Sequence, residues 1–226
     1  MTPQGGKDAT ADMEALYPFL YAGKTDLGSV LAEVRQSTVA KAREIVQLRE
    51  VVKKEYTERL IACAHDMATR FAGGGRLLAF GNGGSATDAQ EVATLFLNPG
   101  GGERPLPALG LANDVAVITA LCNDIGVGVV FARQIAAFGR PQDIAFALST
   151  SGNSENLIRA LDEAARRGML TIGIAGYDGG KMAEVDSLDY LFVAPSSSVH
   201  RIQEAQTTIY HVLWELTLIT LREGGS

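Results

Sequence analysis

Cysteine, tryptophan and histidine are scarce in this chain, at two, one and three residues of 226. Cys63 and Cys122 each sit beside apolar neighbours and build neither a disulfide framework nor a metal-ligand spacing, so they read as buried, reduced thiols. Long apolar runs are missing too: none reaches membrane-spanning length. Nor is there an excess of positive charge. Twenty Lys and Arg stand against 26 Asp and Glu, giving a net charge of −6. That balance argues against nucleic acid as the main partner, because phosphate backbones demand a basic face. It leaves room for a small phosphorylated ligand, which neutral hydrogen-bond donors can hold. The first twelve residues, MTPQGGKDATAD, lack an apolar core and a cleavage pattern. They read as a disordered polar tail rather than a signal peptide, and the expected location is the cytoplasm.

What is present is an ordinary globular composition, 46% hydrophobic and 20% charged, in a length that suits one domain with a substantial core. Residues 13–72 read as a helical arm. "MEALYPFLY" suggests a short helix interrupted at Pro18, and Asp26 an N-cap for a long segment carrying Val30, Leu31, Val34, Val39, Ala42, Ile45, Val46 and Leu48 at helical spacings. A second helix, about Tyr56–Phe71, would close a hairpin and stop at Gly73-Gly74-Gly75. The arm must bury its apolar stripe on its own domain or on another subunit.

Beyond the glycines, across residues 73–226, the rhythm changes. RLLAF (76–80), ALGLA (108–112), AFAL (145–148), LTIGIA (170–175) and YLFVA (190–194) are short apolar runs, as expected of strands buried on both faces. Helical patterns lie between them, at Thr87–Leu97, Ala116–Leu121, Val129–Phe138 and Leu157–Arg167, and a last helix covers about Val199–Leu221. Strands alternating with helices predict a doubly wound parallel α/β sheet.

Two stretches share one architecture of strand, Gly/Ser turn and helix: RLLAF-GNGGSATDAQEVATLF and IAFAL-STSGNSENLIRAL. In an open parallel sheet, ligands bind at the carboxyl ends of strands. A helix beginning there offers unpaired N–H groups and the positive end of its dipole, which favour an anion. Glycines admit the backbone closely and hydroxyls add donors. Ser149, Thr150, Ser151 and Ser154 therefore read as a phosphate-monoester site that needs no cationic side chain. GNGGSA (81–86) also fits a dinucleotide fingerprint, but no acidic residue ends a following strand to take the ribose hydroxyl, and without a GK[ST] ending it is no P-loop.

The segments GNGGSATDAQ, CNDIG, FGRPQDIAFALSTSGNSENLIRAL, RRGMLTIGIAGYDGGKMAE and RIQEAQTTIYHVLWEL resemble the sugar isomerase (SIS) domain family, and within it the phosphoheptose isomerases, over roughly residues 40–222. The resemblance implies five parallel strands between helices, a homotetramer, and sites built at subunit interfaces. It implies phosphate-binding hydroxyls at Ser85, Ser149, Thr150, Ser151 and Ser154, and substrate-contacting segments at Asn82, Gly83, Gly84 and at Asn123-Asp124. It also matches the family's glutamine and histidine to Gln203 and His211, which their spacing puts on roughly one side of the last helix.

The departures bear on the chemistry. Where the family reads approximately D-A-x-H-F-A-x-E, this chain reads DAQEVATL, with Glu91 at the histidine position and Leu95 at the glutamate position. Leucine can neither move a proton nor bind a metal. His200 stands where the family usually has Asp. Aldose–ketose isomerisation through an enediol needs a base between adjacent carbons and an acid for the oxygens. Glu91 and His211 are the expected catalytic pair, with Glu204 and His200 next in line. No cofactor is required by this reading, and zinc on Glu91, Gln203 and His211 is the alternative, with glutamine a poor ligand. The expected function is a sugar-phosphate isomerase acting on a sedoheptulose 7-phosphate-like substrate through an altered site. The alternative is a non-catalytic sugar-phosphate sensor or tetrameric adaptor.

Overall fold

Each strand carries apolar side chains on both faces, so the sheet must be covered twice. The structure, a computed structural model, describes residues 27–224 and meets that requirement. Strands β1 (Leu77–Gly81), β2 (Ala108–Gly110), β3 (Ile144–Leu148), β4 (Leu170–Gly176) and β5 (Tyr190–Ala194) form one sheet in the order β2-β1-β3-β4-β5. All four pairings are parallel, with Leu77 opposite Ile144 and Ile144 opposite Leu170. This is the expected doubly wound, five-stranded sheet.

The helices are α1 (Leu27–Ala72), α2 (Gly84–Leu97), α3 (Val115–Asp124), α4 (Val130–Phe138), α5 (Glu155–Arg166) and α6 (Val199–Gly224). Side chains alternate along each strand and so feed two separate cores. Leu77, Ala79, Phe146, Leu148, Ile172 and Ile174 pack with Met67, Phe96, Ile209 and Leu213 of α1, α2 and α6. Leu78, Phe80, Ala145 and Ala147 point the other way, against Phe131, Ile135, Leu157 and Leu161 of α4 and α5.

The expected hairpin is not what forms. α1 is a single helix of 46 residues, because Leu48–Tyr56 holds neither glycine nor proline to end it. The chain divides into two compact units between Arg43 and Glu44. The second unit therefore takes in the later part of α1, where Val52, Leu60, Cys63, Met67 and Phe71 are buried. In the first unit Leu31, Val34 and Val39 are exposed. The tail expected at 1–12, the short helix around Pro18 and the Asp26 cap lie outside the described residues. Among those described, no single helix is long and apolar enough to cross a membrane.

Candidate active site

Two loops leave the carboxyl ends of the adjacent strands β1 and β3, and side chains bind them together. Asn82 Nδ2 donates to Asn156 Oδ1 at 2.9 Å, and Asn156 Nδ2 donates back to Asn82 Oδ1 at 3.0 Å. One glycine is required by its conformation and by space, while at Gly84 a Cβ would lie 2.7 Å from the movable end of the Gln203 side chain, which packs against the start of α2. Gly152 has φ +67°, and a Cβ there would lie 1.9 Å from the Gly179 carbonyl oxygen.

The hydroxyls in the second loop are used in different ways. Ser149 Oγ accepts the Gly152 N–H at 3.0 Å, and Ser151 Oγ accepts the Asn153 N–H at 3.2 Å. A hydroxyl that accepts from backbone still has its own proton to give. Ser154 occupies the N-cap of α5, and its carbonyl takes the Leu157 and Ile158 N–H groups. Its hydroxyl makes no capping bond. The loop is held from beneath by Gln206, fully buried, whose Nε2 donates to the carbonyls of Ser149 at 2.8 Å and Ile174 at 3.3 Å. Ser149 is buried, Thr150, Ser151 and Ser154 are half-buried, and Ser85 is buried in the first turn of α2. Donors at the head of a twelve-residue helix, without a cationic side chain in the cluster, make a neutral cradle for an anion.

A second cluster lies where α2 meets α6. Gln203 Nε2 donates to Asp88 Oδ2 at 3.1 Å. Burial pushes the Asp88 carboxyl above the usual carboxylate range, Gln203 partly offsets this by its hydrogen bond, and the nearby Glu91 charge raises it further. Glu91 Oε2 accepts the Tyr210 hydroxyl at 2.8 Å, and Glu91 Oε1 lies 3.9 Å from His211 Nε2. His211 Nδ1 is 2.9 Å from the Thr207 carbonyl oxygen. A carbonyl only accepts, so Nδ1 carries the proton and Nε2 is the basic nitrogen of the neutral ring. The side chains of Glu91 and His211 are 49% and 36% exposed, so a ligand can reach both. A carboxylate and an imidazole nitrogen side by side can move protons at two neighbouring atoms.

The candidate residues thus fall into groups. Asn82 and Gly83 lie in the first loop, with Gly84 and Ser85 opening α2, and Ser149, Thr150, Ser151 and Ser154 lie in the second. Where α2 meets α6, Glu91 faces His211 and Gln203 faces Asp88. Asn123 and Asp124 are exposed at the carboxyl end of α3, where Asn123 Nδ2 donates to Asp124 Oδ1 at 3.0 Å. Leu95 packs against the apolar core. Glu204 is paired with Arg201, and His200 is exposed. Among the described residues no three His, Cys, Asp or Glu side chains are grouped to hold a metal ion. Zinc would have Glu91, His211 and the weak donor Gln203 alone, so no step below is routed through it.

The SIS domain family matches residues 42–176, more than half of the chain. The chain belongs to that family. Phosphoheptose isomerase from Aquifex aeolicus is 42% identical over 175 residues, 77% of this chain and 91% of that one. The Thermodesulfovibrio yellowstonii phosphoheptose isomerase is 41% identical over 174 residues, 76% of this chain and 86% of that one. Among solved structures, phosphoheptose isomerase from Neisseria gonorrhoeae superposes with a TM-score of 0.74 at 34% identity, over 80% of this chain and 97% of that one.

Four residues of the site escaped the sequence reading. Asp88 lies one helical turn before Glu91, a spacing that could have flagged it. Asn156 follows Ser154 by two residues, within the same polar turn. Gln206 is one turn beyond Gln203, but only burial reveals what it supports. Tyr210 neighbours His211, and adjacent helical residues point about 100° apart, so no spacing argument brings it to Glu91.

Proposed function

We propose that this chain is a sugar-phosphate aldose–ketose isomerase acting on a sedoheptulose 7-phosphate-like ketose, with Glu91 and His211 as its proton-transfer pair. The observation that carries the reading is Glu91 Oε1 lying 3.9 Å from His211 Nε2 beside a half-exposed surface. The family, and relatives named phosphoheptose isomerase at about 40% identity, support the substrate class. Relative to the family pattern, the histidine at 91 and the glutamate at 95 are replaced by one carboxylate, Glu91, one turn before Leu95 on the same helix, so a single acid–base group is left where the pattern has two.

The phosphate is bound by the hydroxyls of Ser149, Thr150, Ser151 and Ser154 and the first N–H groups of α5, with Ser85 at the neighbouring helix start. Asn82, Gly83, Gly84, Gln203 and, from α3, Asn123 and Asp124 contact the sugar. Glu91 takes a proton from C1 of the ketose while protonated His211 gives one to the C2 carbonyl oxygen, leaving a neutral enediol. His211 then removes the proton of the C1 hydroxyl as Glu91 returns its proton to C2, which yields the aldose with both groups restored. The net reaction moves hydrogen within one molecule and needs no oxidant.

On this reading the working form is a homotetramer acting in the cytoplasm; the exposed apolar side chains of Leu31, Val34, Val39 and Val46 along α1 support burial against another subunit. Calorimetric titration with six- and seven-carbon sugar phosphates and their unphosphorylated counterparts, followed by a coupled isomerase assay, tests the proposal. Phosphorylated ketoses bind and turn over; the free sugars do neither. Binding without turnover would assign the chain to the sensor or adaptor role, and absence of binding would sink both.

A further inference from the structure

The two oxygens of the Glu91 carboxylate have different surroundings. Oε2 is 2.8 Å from the Tyr210 hydroxyl, whereas Oε1 faces His211 Nε2 at 3.9 Å. Tyr210 is 1% exposed, and Glu91 is half in water. A fixed, buried phenol therefore grips one side of a carboxylate that would otherwise sample many rotamers. The phenol has one proton and two acceptors in reach, Glu91 Oε2 at 2.8 Å and Thr207 Oγ1 at 3.2 Å. The carboxylate is nearer and charged, and takes it.

We infer that Tyr210 is a positioning residue for the isomerisation: it occupies Glu91 Oε2 and so leaves Oε1, beside His211, as the single oxygen that accepts and returns the substrate proton. This rests on the proposed isomerase function and adds to it a residue to which the family resemblance gave no role. The ring of Tyr210 stacks on that of His211, with centroids 5.0 Å apart and planes 29° apart, so one side chain fixes the setting of both partners. Burial raises the phenol above the usual tyrosine range; the bond to Thr207 lowers it in part, and the bond to Glu91 raises it again. Tyr210 accordingly stays a protonated donor at neutral pH. The titratable groups facing Glu91 are Asp88 on its own helix and Tyr210 and His211 on α6.

Tyr210→Phe removes the hydroxyl and keeps the buried ring. Losing one hydrogen bond to a charged group is worth about a tenfold factor at the low end. The variant should show kcat down about tenfold and KM for the ketose phosphate unchanged within about twofold, because the orientation of the base is lost and phosphate binding is not. In the wild-type chain, the Tyr210 Cζ carbon signal should report the bond to the carboxylate, and Glu91→Gln should shift it. If wild type turns over and Glu91→Gln does not, while Tyr210→Phe matches wild type in kcat and KM, this inference alone is overturned. A Tyr210 signal that is the same in Glu91→Gln as in active wild-type enzyme would overturn it equally. If wild type shows no turnover, or Glu91→Gln is as fast as wild type, the isomerase reading fails and the positioning role with it.

Discussion

Replacing Ser151 and Ser154 together by alanine separates ligand binding from folding. Ser154 Oγ caps no helix N–H, and Ser151 Oγ accepts one 3.2 Å bond from an exposed backbone N–H that water can satisfy instead. The fold should therefore lose no more than about 0.5 kcal/mol, the range for surface changes away from special features. Each hydroxyl bond to a charged phosphate is worth about 1.5–3 kcal/mol. Two lost bonds cost at least about 3 kcal/mol, slightly more than two decades in affinity. Ser149→Ala is the contrasting control. Its oxygen is buried and accepts the Gly152 N–H, so this change should destabilise the protein by about 1–3 kcal/mol as well as weaken binding. Isothermal titration with a ketose phosphate, paired with thermal melting, reads both quantities. A double variant that melts like wild type and binds within threefold of it would refute the phosphate cradle.

Asp88→Asn keeps an acceptor for Gln203 and removes the charge. Because burial raises the folded-state pKa of Asp88, the folded protein holds that proton more tightly than the unfolded chain. Its stabilising contribution is present below the ordinary carboxylate pKa and lost as pH rises to the raised value, so Asp88→Asn should raise Tm at pH 7 and leave it unchanged near pH 3; equal shifts at both would contradict this. Native mass spectrometry at micromolar concentration should give a tetramer, and charged replacements at Leu31, Val34 and Val39 should give smaller species or aggregates, whereas a wild-type monomer would end the oligomer proposal.

The sheet was legible because continuous apolar runs have few other uses: IAFAL between two polar turns has both faces to bury. The serine loop was legible because Ser149, Thr150, Ser151 and Ser154 exceed what one helix cap needs. Helix continuity was harder. Val51 is exposed while Val52 is buried on α1, and the dilute apolar pattern from 48 to 56 reads as a break although no residue there stops a helix. Side-chain partnerships between distant helices were not legible. Tyr210 reaches Glu91 from 119 residues away only because α2 and α6 cover the same face of the sheet. Asn82 meets Asn156 only because β1 and β3 are neighbours, an order that strand succession alone does not give.

The central claim is that Glu91 moves the substrate proton, and the most direct measurement is turnover of sedoheptulose 7-phosphate by wild type and Glu91→Gln under the same conditions. Glutamine preserves size and hydrogen bonding but cannot act as a base. The account predicts a kcat at least about a hundredfold lower in the variant, the low end for loss of an acid–base group, with affinity for the phosphorylated ketose unchanged. Equal turnover by the two proteins would contradict it.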